Sequence, residues 1–313
     1  MVTRPLQTIV LSALIALPLA ALDTGSIKRS EPERRGRVWE ERVEFEAPAE
    51  EGGRLLLRAS NGGVSIHPQP GEKVGCVVTL RAHTADEAEA RRLFDMYQVS
   101  ARAADSGGVR ITSQSPPHAL HGTNFEVLLQ VAVPQTYNLD VVTQSGDISV
   151  DEPLKGDARL TTAGGDVRAS GLSGAAKIET AGGSIILGNM GGDLVAETAG
   201  GSIHVGEVLG DARLQTFGGE IVTGTVKGAL KAETAGGDIT VGGAGGEVAA
   251  QTAGGQIHIG ATGGTVRAET AGGSIRLQSS RGRVVAETAG GSIDLLSIAG
   301  GVRASTAAGR ILA

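Results

Sequence analysis

A motif close to Glu-Thr-Ala-Gly-Gly-Ser-Ile returns at a constant interval through the second half of this 313-residue chain. Successive copies are 18 residues apart, and their threonines are Thr162, Thr180, Thr198, Thr216, Thr234, Thr252, Thr270, Thr288 and Thr306. A fixed period of this size is typical of solenoid proteins, in which each repeat forms one coil that stacks on the next. The repeat therefore restricts the chain to an elongated array of coils.

Each repeat contains two stretches in which apolar and polar residues alternate. In the copy around Thr270, Val266 and Ala268 alternate with charged residues before the threonine, and Ile275 and Leu277 alternate after it. This alternation predicts β-strands with one buried face. Glycines mark two corners between the strands, and after the threonine the Ala-Gly-Gly sequence permits a positive φ and a sharp change of direction. We therefore expect an all-β, single-chain β-solenoid (a right-handed β-helix) of 18-residue coils, stacked about 4.8 Å apart.

Two other kinds of solenoid fit the repeat less well. Left-handed helices built from hexapeptides need an aliphatic residue every six positions, but Glu269 and Arg281 stand six residues on either side of Ile275. Calcium-binding repeat solenoids need an aspartate in each turn. Aspartate follows the glycine pair at Asp166 and Asp238, whereas serine, glutamate or glutamine follows it in most other copies. Calcium is therefore not expected to be required for folding.

An apolar run of fourteen residues, from Ile9 to Leu22, follows Arg4 near the N-terminus. The run is short for a membrane-spanning helix and has small residues near its end, which predicts that residues 1–22 are a signal peptide. Retention of the same segment as an N-terminal anchor is the alternative. Residues 23–42 carry many charges of both signs, which predicts a flexible segment.

Residues 43–142 are predicted to form an N-terminal β-rich part of the solenoid, and residues 143–313 its regular array. Residues 54–66 already resemble one coil, because aliphatic residues alternate on both sides of an Asn-Gly-Gly turn. Strands over 109–111, 125–133 and 139–142 are expected to lead from there into the regular array. The single cysteine, Cys76, is expected to be a small buried hydrophobic residue.

One helix is predicted, over residues 84–98. Thr84 and Glu87 have the spacing of a capping box at its N-terminus. An apolar stripe follows on one face and consists of Ala90, Leu93, Phe94 and Tyr97. We expect this stripe to pack against the first coils and to cap an otherwise open end of the solenoid.

No short motif predicts a catalytic residue, a cofactor site or a metal site. The clearest surface feature is a strip of two charged rows on the outer face of the strand before each glycine pair. It consists of Glu179, Glu197, Glu233, Glu269, Glu287, Lys177, Arg213, Lys231, Arg267 and Arg303. Stacked carboxylates repel one another unless cations relieve them, so paired ladders of opposite sign explain the pattern structurally. The functional alternative is a strip that binds an ionic polymer, or glutamates bridged by divalent cations.

The C-terminal end of the array is a second candidate surface. The sequence stops at Ala313, directly after the strand that contains Ile311 and Leu312, and no polar capping helix follows. Terminal coils are usually atypical because a bare coil exposes unpaired backbone and apolar side chains. We therefore expect Ile311 and Leu312 to form an end through which the protein could associate with another copy.

The segment VAVPQTYNLDVVTQSGDISV, residues 131–150, and the T-x-G-G-D/S-I repeats after it resemble a known bacterial family. This is the putative adhesin family, a domain of unknown function with a β-solenoid fold, and the resemblance covers about residues 43–313. The resemblance implies exported or envelope-associated proteins. It offers no catalytic residues.

Together these features predict an exported, non-enzymatic, adhesin-like solenoid that presents a binding or assembly surface at the cell envelope. The expected compartment is the periplasm, the cell surface or the medium, with no integral membrane segment after signal cleavage. An envelope protein or a polysaccharide is the expected ligand, and the net charge of −6 argues against nucleic acid. The first alternative is a structural module that self-assembles through its last coil. The second is a carbohydrate-active enzyme, for which the sequence offers no acidic cluster.

Overall fold

The computed structural model describes residues 27–115 and 125–313. The predicted signal peptide, residues 1–22, lies outside the described residues. Within them, no helix has the length and apolar character needed to cross a membrane.

The N-terminal part contains nine strands and the single helix of the described chain. They are β1 Lys28–Arg29, β2 Glu33–Arg35, β3 Val38–Pro48, β4 Arg54–Ala59, β5 Gly63–Gln69, β6 Lys73–Ala82, α1 Glu87–Met96, β7 Gln98–Ala104, β8 Gly108–Gln114 and β9 Phe125–Pro134.

The regular array follows and alternates between two strand positions in each coil. Its strands are β10 Asn138–Thr143, β11 Ile148–Val150, β12 Ala158–Thr162, β13 Val167–Leu172, β14 Ala176–Thr180, β15 Ile185–Met190, β16 Leu194–Thr198, β17 Ile203–Val205, β18 Ala212–Gln215, β19 Ile221–Val226, β20 Leu230–Thr234, β21 Ile239–Ala244, β22 Val248–Thr252, β23 Ile257–Thr262, β24 Val266–Thr270, β25 Ile275–Ser280, β26 Val284–Thr288, β27 Ile293–Leu295, β28 Val302–Thr306 and β29 Ile311–Leu312.

Two long sheets form the sides of the solenoid. The strands that end at the repeat threonines belong to a 13-stranded sheet (sheet I), and those that follow the glycine pairs belong to a 16-stranded sheet (sheet II). In the array all strands are parallel and in register, so that Val266 pairs with Val248 and Val284, each 18 residues away. Because side chains of one parity face inward, the paired aliphatic residues form buried ladders. The predicted solenoid of 18-residue coils is confirmed.

Each coil also has a third, shorter side that the alternation did not predict. After the buried Leu187, both Gly188 and Asn189 lie outside the core, and Met190 is buried again. Two consecutive outward residues bend the strand and start a new inward position. In neighbouring coils this position bridges Met190, Val208 and then Val226 in parallel. The core is therefore enclosed on three sides, where two strands and two corners were expected.

The repeat threonine holds the first corner together. Thr252 is buried, and its hydroxyl donates to the carbonyl oxygen of Gly237 in the previous coil at 2.9 Å. The hydroxyl oxygen of Thr252 also accepts the backbone N–H of Gly255 in its own coil at 3.2 Å. Equivalent bonds recur at each repeat threonine from Thr162 to Thr306, with Oγ1···O distances of 2.7–2.9 Å. The threonines thus face inward, as predicted, and their hydroxyl groups form hydrogen bonds with backbone C=O and N–H groups at each corner.

The second glycine of each pair at these corners serves close packing, and the positive φ that glycine permits is not used there. From Gly164 to Gly309, none of the corner glycines has a φ in the left-handed region. A Cβ atom at Gly183 would instead lie 2.1 Å from the carbonyl oxygen of Gly165 in the coil below. Coils stacked in register bring these two backbones together, so only a residue without a side chain fits.

The N-terminal coils do not stack in chain order. β4 pairs in parallel with β8 on one side and with β10 on the other, and β5 likewise lies between β9 and β11. The strands predicted over 109–111 and 125–133 therefore lie outside the first coil, and only the strand at 139–142 leads into the array. Parallel pairing depends on matching strand edges and not on sequence order, so a strand can add to either side of the first coil.

Antiparallel strands and the helix close this end. β6 and then β3 extend sheet II beyond β9, and β7 extends sheet I beyond β8. The buried Phe94 and Tyr97 of the helix segment pack near Phe125, and Tyr97 shares a 2.7 Å hydrogen bond with Ser113. The predicted packing of the helix against the first coils is present.

The helix is shorter than the predicted range 84–98, and its cap differs. It begins after Asp86, whose carboxylate accepts the N–H of Ala88 at 2.9 Å, and it ends at Met96 because Tyr97 has extended backbone angles. Thr84 lies before the cap and accepts the N–H of Asp86 at 3.2 Å. The proposed Thr84–Glu87 capping box is therefore wrong, since aspartate is an equally strong N-cap residue and stands directly before the helix.

The charged segment predicted to be flexible over 23–42 forms β1, β2 and the start of β3 in its described part. Glu41 is only 5% exposed, and its carboxylate contacts Arg29 at 2.5 Å. Arg29 also donates to the carbonyl oxygen of Phe94 at 2.8 Å, which ties β1 to the helix. Burial alone would raise the pKa of Glu40, but hydrogen bonds from Arg81 and Arg42 and the charge of Arg35 hold that pKa below its ordinary value. Because the buried carboxylates are paired, the many charges here are compatible with an ordered structure.

Candidate functional site

The ten residues of the predicted strip lie together on the outer face of sheet I. Parallel register places Glu179 beside Glu197, and Glu269 beside Glu287. Gln251 separates Glu233 from Glu269. The carboxylates thus form one row along the solenoid axis, and the basic residues form a second row next to it.

Every glutamate of the strip contacts a basic side chain. Within a coil, Lys177 contacts Glu179 at 3.0 Å, Lys231 contacts Glu233 at 2.8 Å, and Arg267 pairs with Glu269. Between coils, Arg213 contacts Glu197 and Arg303 contacts Glu287, both at 3.7 Å. Exposed pairs of this kind contribute only about 0–1 kcal/mol each, but they relieve repulsion along the carboxylate row.

The glutamate row forms one wall of an open groove that the sequence analysis missed. The groove has a volume of about 710 Å³ and runs along the array from Gln215 to Ser305. Its lining consists of the row Gln215, Glu233, Gln251, Glu269, Glu287 and Ser305, the repeat threonines beside them, and the residues that follow those threonines: Phe217, Ala235, Ala253, Ala271 and Ala289. No lysine or arginine belongs to this lining. The basic row lies on the other side of the glutamates.

Phe217 is the most irregular residue of the groove. It stands where the neighbouring coils have Ala199 and Ala235, and it is 63% exposed. The other phenylalanines and tyrosines of the described chain are buried, and Trp39 is half-buried. The change from Ala-Gly-Gly to Phe-Gly-Gly is visible in the sequence and could have identified the position.

A second polar cluster lies on the outer face of sheet II. The Ser65 hydroxyl donates to Asp151 Oδ2 at 2.8 Å, and His67 Nδ1 lies 3.2 Å from the same oxygen. Serine and histidine both contact the aspartate, and no hydrogen bond joins them to each other in the described chain. Activation of a serine nucleophile requires contact with its base, so this geometry does not indicate one.

Three further features bear on chemistry. Burial raises the pKa of the Cys76 thiol to about 12, which keeps it protonated and unreactive. Within residues 27–115 and 125–313, no group of three histidine, cysteine, aspartate or glutamate side chains is arranged to hold a metal ion. Asp166 uses its carboxylate to accept the backbone N–H of Ser184 in the next coil at 2.8 Å, and that bond lowers its pKa.

The last coil exposes apolar side chains. Val302, Ile311 and Leu312 are 44%, 42% and 52% exposed, whereas the equivalent Val284 and Ile293 of the preceding coil are fully buried. In the described chain, no strand pairs with the outer edge of β28 or β29. The residues predicted for an assembly end are therefore accessible.

A family model described as Toastrack DUF4097 matches residues 58–294 of the chain. No curated protein matches this chain. Crystal structures similar to the chain include a putative adhesin from Bacteroides fragilis, with 11% sequence identity, coverage of 87% of this chain and 97% of that chain, and a TM-score of 0.31. A putative lipid binding protein from Parabacteroides distasonis has 12% identity, the same two coverages of 87% and 97%, and a TM-score of 0.34. A putative cell adhesion protein from Clostridium sporogenes has 12% identity, coverage of 73% of this chain and 99% of that chain, and a TM-score of 0.26. Their TM-scores are low, so these structures carry no inference about what this chain binds.

Proposed function

Because the chain belongs to the Toastrack DUF4097 family, a family of β-solenoids, we propose that it is an exported, non-enzymatic, adhesin-like protein. In this proposal its lateral face binds a component of the cell envelope. A fold alone does not define a function, so the proposal depends on the features of that face.

The observation that carries the proposal is the long groove on sheet I. Repetition places chemically similar side chains at the same position in successive coils, from Gln215 to Ser305. Solenoids use such extended surfaces to bind extended partners. The glutamates along the groove are paired with lysine or arginine, as for Lys231 and Glu233 at 2.8 Å, which suits a binding surface better than acid–base catalysis.

Export is supported by the sequence of residues 1–22, in which an apolar run follows Arg4. To test it, the full chain with a C-terminal tag is produced in a bacterial host and the cells are fractionated. We expect a product that begins near Asp23, lies outside the cytoplasm and is retained on purified cell envelopes. A Leu14→Arg/Leu17→Arg variant, which interrupts the apolar run, is the control and should stay in the cytoplasm with its N-terminus intact.

Two results would contradict this proposal. The first is a wild-type chain that stays in the cytoplasm with residues 1–22 attached. The second is an exported chain that envelopes do not retain. Release of new reducing ends from a bound polysaccharide would contradict the non-enzymatic part.

A second candidate function is self-association, which the exposure of Ile311 and Leu312 favours. In this proposal the last coil of one copy packs against another copy through its apolar residues and its strand edges. We expect the solution mass, measured by light scattering, to increase with concentration for the wild type and to remain monomeric for Ile311→Lys/Leu312→Lys. Both positions are exposed, so the substitutions should leave thermal unfolding nearly unchanged. Equal association by both proteins, or by neither, would exclude this candidate.

A further inference from the structure

The groove of sheet I has the dimensions of a site for a polymer. It spans the coils from Thr216 to Thr288 and reaches Ser305, which is about 24 Å at the usual spacing between parallel strands. It is lined by exposed alanines in successive coils, such as Ala235, Ala253 and Ala271, whose small side chains leave the groove open. A chain-like ligand could therefore lie along the solenoid axis and meet the same environment at each step.

Phe217 is an aromatic platform at one end of this groove. An exposed ring has a hydration cost, and the alanines at the same position in neighbouring coils demonstrate that the fold does not need a ring there. Exposed aromatic residues in a groove are commonly anchors for ligands with an apolar face. The ring thus indicates a ligand that is partly apolar as well as polar.

The polar wall indicates the charge of that ligand. The Oε1 atoms of Glu233, Glu269 and Glu287 face Lys231, Arg267 and Arg303. Among the described residues, no hydrogen bond reaches their Oε2 atoms. The ion pairs reduce the attraction of the wall for a cationic chain, and the carboxylates repel an anionic one.

The Oε2 atoms of these glutamates can accept hydrogen bonds from neutral donors, and the side-chain amide of Gln251 lies between Glu233 and Glu269 in the row. Hydroxyl groups are neutral donors that form strong, charge-assisted hydrogen bonds with carboxylates. A pyranose ring combines such hydroxyl groups at its edge with an apolar face that can stack on an aromatic ring.

We propose that this groove binds a linear, uncharged polysaccharide along the solenoid axis, with one sugar ring stacked on Phe217 and hydroxyl groups donated to the row that contains Glu233, Gln251 and Glu269. This proposal rests on the proposed binding function and specifies its ligand class.

The test is affinity electrophoresis of the exported chain in native gels that contain dextran, laminarin or hydroxyethyl cellulose. Gels with alginate and glycol chitosan represent anionic and cationic polymers. Phe217→Ala restores the residue of the neighbouring coils, so it should leave thermal unfolding unchanged and weaken binding about fivefold to tenfold. Glu233→Gln/Glu269→Gln/Glu287→Gln keeps acceptor oxygens but removes their charge, so it should weaken binding more than about tenfold. Ile186→Ala, which removes an exposed apolar side chain from sheet II, is the matched control and should bind like the wild type.

Retardation by at least one neutral polysaccharide, reduced by Phe217→Ala and unaffected by Ile186→Ala, supports the proposal. It is overturned if no neutral polysaccharide retards the chain, if Phe217→Ala binds like the wild type, or if only a charged polymer retards it and the triple variant abolishes that effect. Retention of both the wild type and Phe217→Ala on cell envelopes, without polysaccharide binding, would refute the groove ligand while the proposed function stands. Loss of envelope retention by the wild type would refute the proposed function itself.

Discussion

Gly255→Ala is expected to lower the free energy of unfolding by about 3 kcal/mol, whereas Gly254→Ala in the same corner is expected to leave it unchanged or raise it by about 0.5 kcal/mol. A Cβ atom at Gly255 would lie 2.0 Å from the carbonyl oxygen of Gly237 in the previous coil. Because the obstacle is backbone in a stacked coil, the two coils must separate locally to admit it. At Gly254 the nearest atom would be the carbonyl oxygen of Gly236 at 3.5 Å, an ordinary contact.

Urea unfolding followed by far-UV circular dichroism measures this difference. Unfolding of a long repeat array can depart from two-state behaviour, so hydrogen exchange of the strands on either side of the corner gives the local effect. Both glycines have φ values outside the left-handed region. A difference in stability between the two variants therefore reports close packing and not the backbone preference of glycine. Similar losses in both variants would refute the packing explanation of the glycine pair.

Thr252→Val is expected to lower the free energy of unfolding by about 2–3 kcal/mol. The side chain is buried, and its hydroxyl both donates to Gly237 O and accepts from Gly255 N. Valine has nearly the same shape but offers neither bond, so two backbone groups at the corner lose their partner. Unsatisfied buried groups cost about 1–3 kcal/mol each, and partial access of water at the corner reduces the total.

Thr252→Ser is the matched control for this prediction. It keeps the hydroxyl and removes one methyl group, which should cost about 1 kcal/mol. The order of urea midpoints is therefore expected to be wild type, then serine, then valine. A valine variant as stable as the serine variant would indicate that water replaces the hydroxyl and that the threonine row contributes through packing alone.

The regular part of the fold was predictable because its determinants are local and repeated. In the coil around Thr270, alternation alone places Val266 and Ala268 inward, and both are buried. An 18-residue period allows one register in which every copy stacks on its equivalent, and the strands pair in that register. The charged rows of sheet I could be placed for the same reason.

The N-terminal part could not be derived in this way. Nothing in the sequence of β8 or β9 indicates which edge of the first coil they join, because both edges of a parallel strand offer equivalent backbone groups. The charge density of residues 28–42 likewise favours flexibility when it is considered alone. Its order depends on Arg29 reaching both Glu41 and the helix, a contact between segments far apart in the chain.

The candidate site was likewise only partly predictable from the sequence. The sequence contains the glutamate row and the change from alanine to Phe217. Their convergence in one groove depends on the corner after each threonine, where the chain turns and leaves the alanine row beside the glutamate row. Alternation describes which face a residue occupies, but it does not describe the shape of the surface between two faces.

By itself, then, the sequence determined the coil length, the two main strand positions, the inward ladders and the outer charged rows, because each follows from a short period repeated in every copy. The tertiary structure alone decided the third side of the coil, the stacking order of the first coils, the ordered charged segment and the groove that ends at Phe217. These features depend on contacts between segments whose local patterns are compatible with more than one arrangement, so the free energy of the assembled fold selects among them.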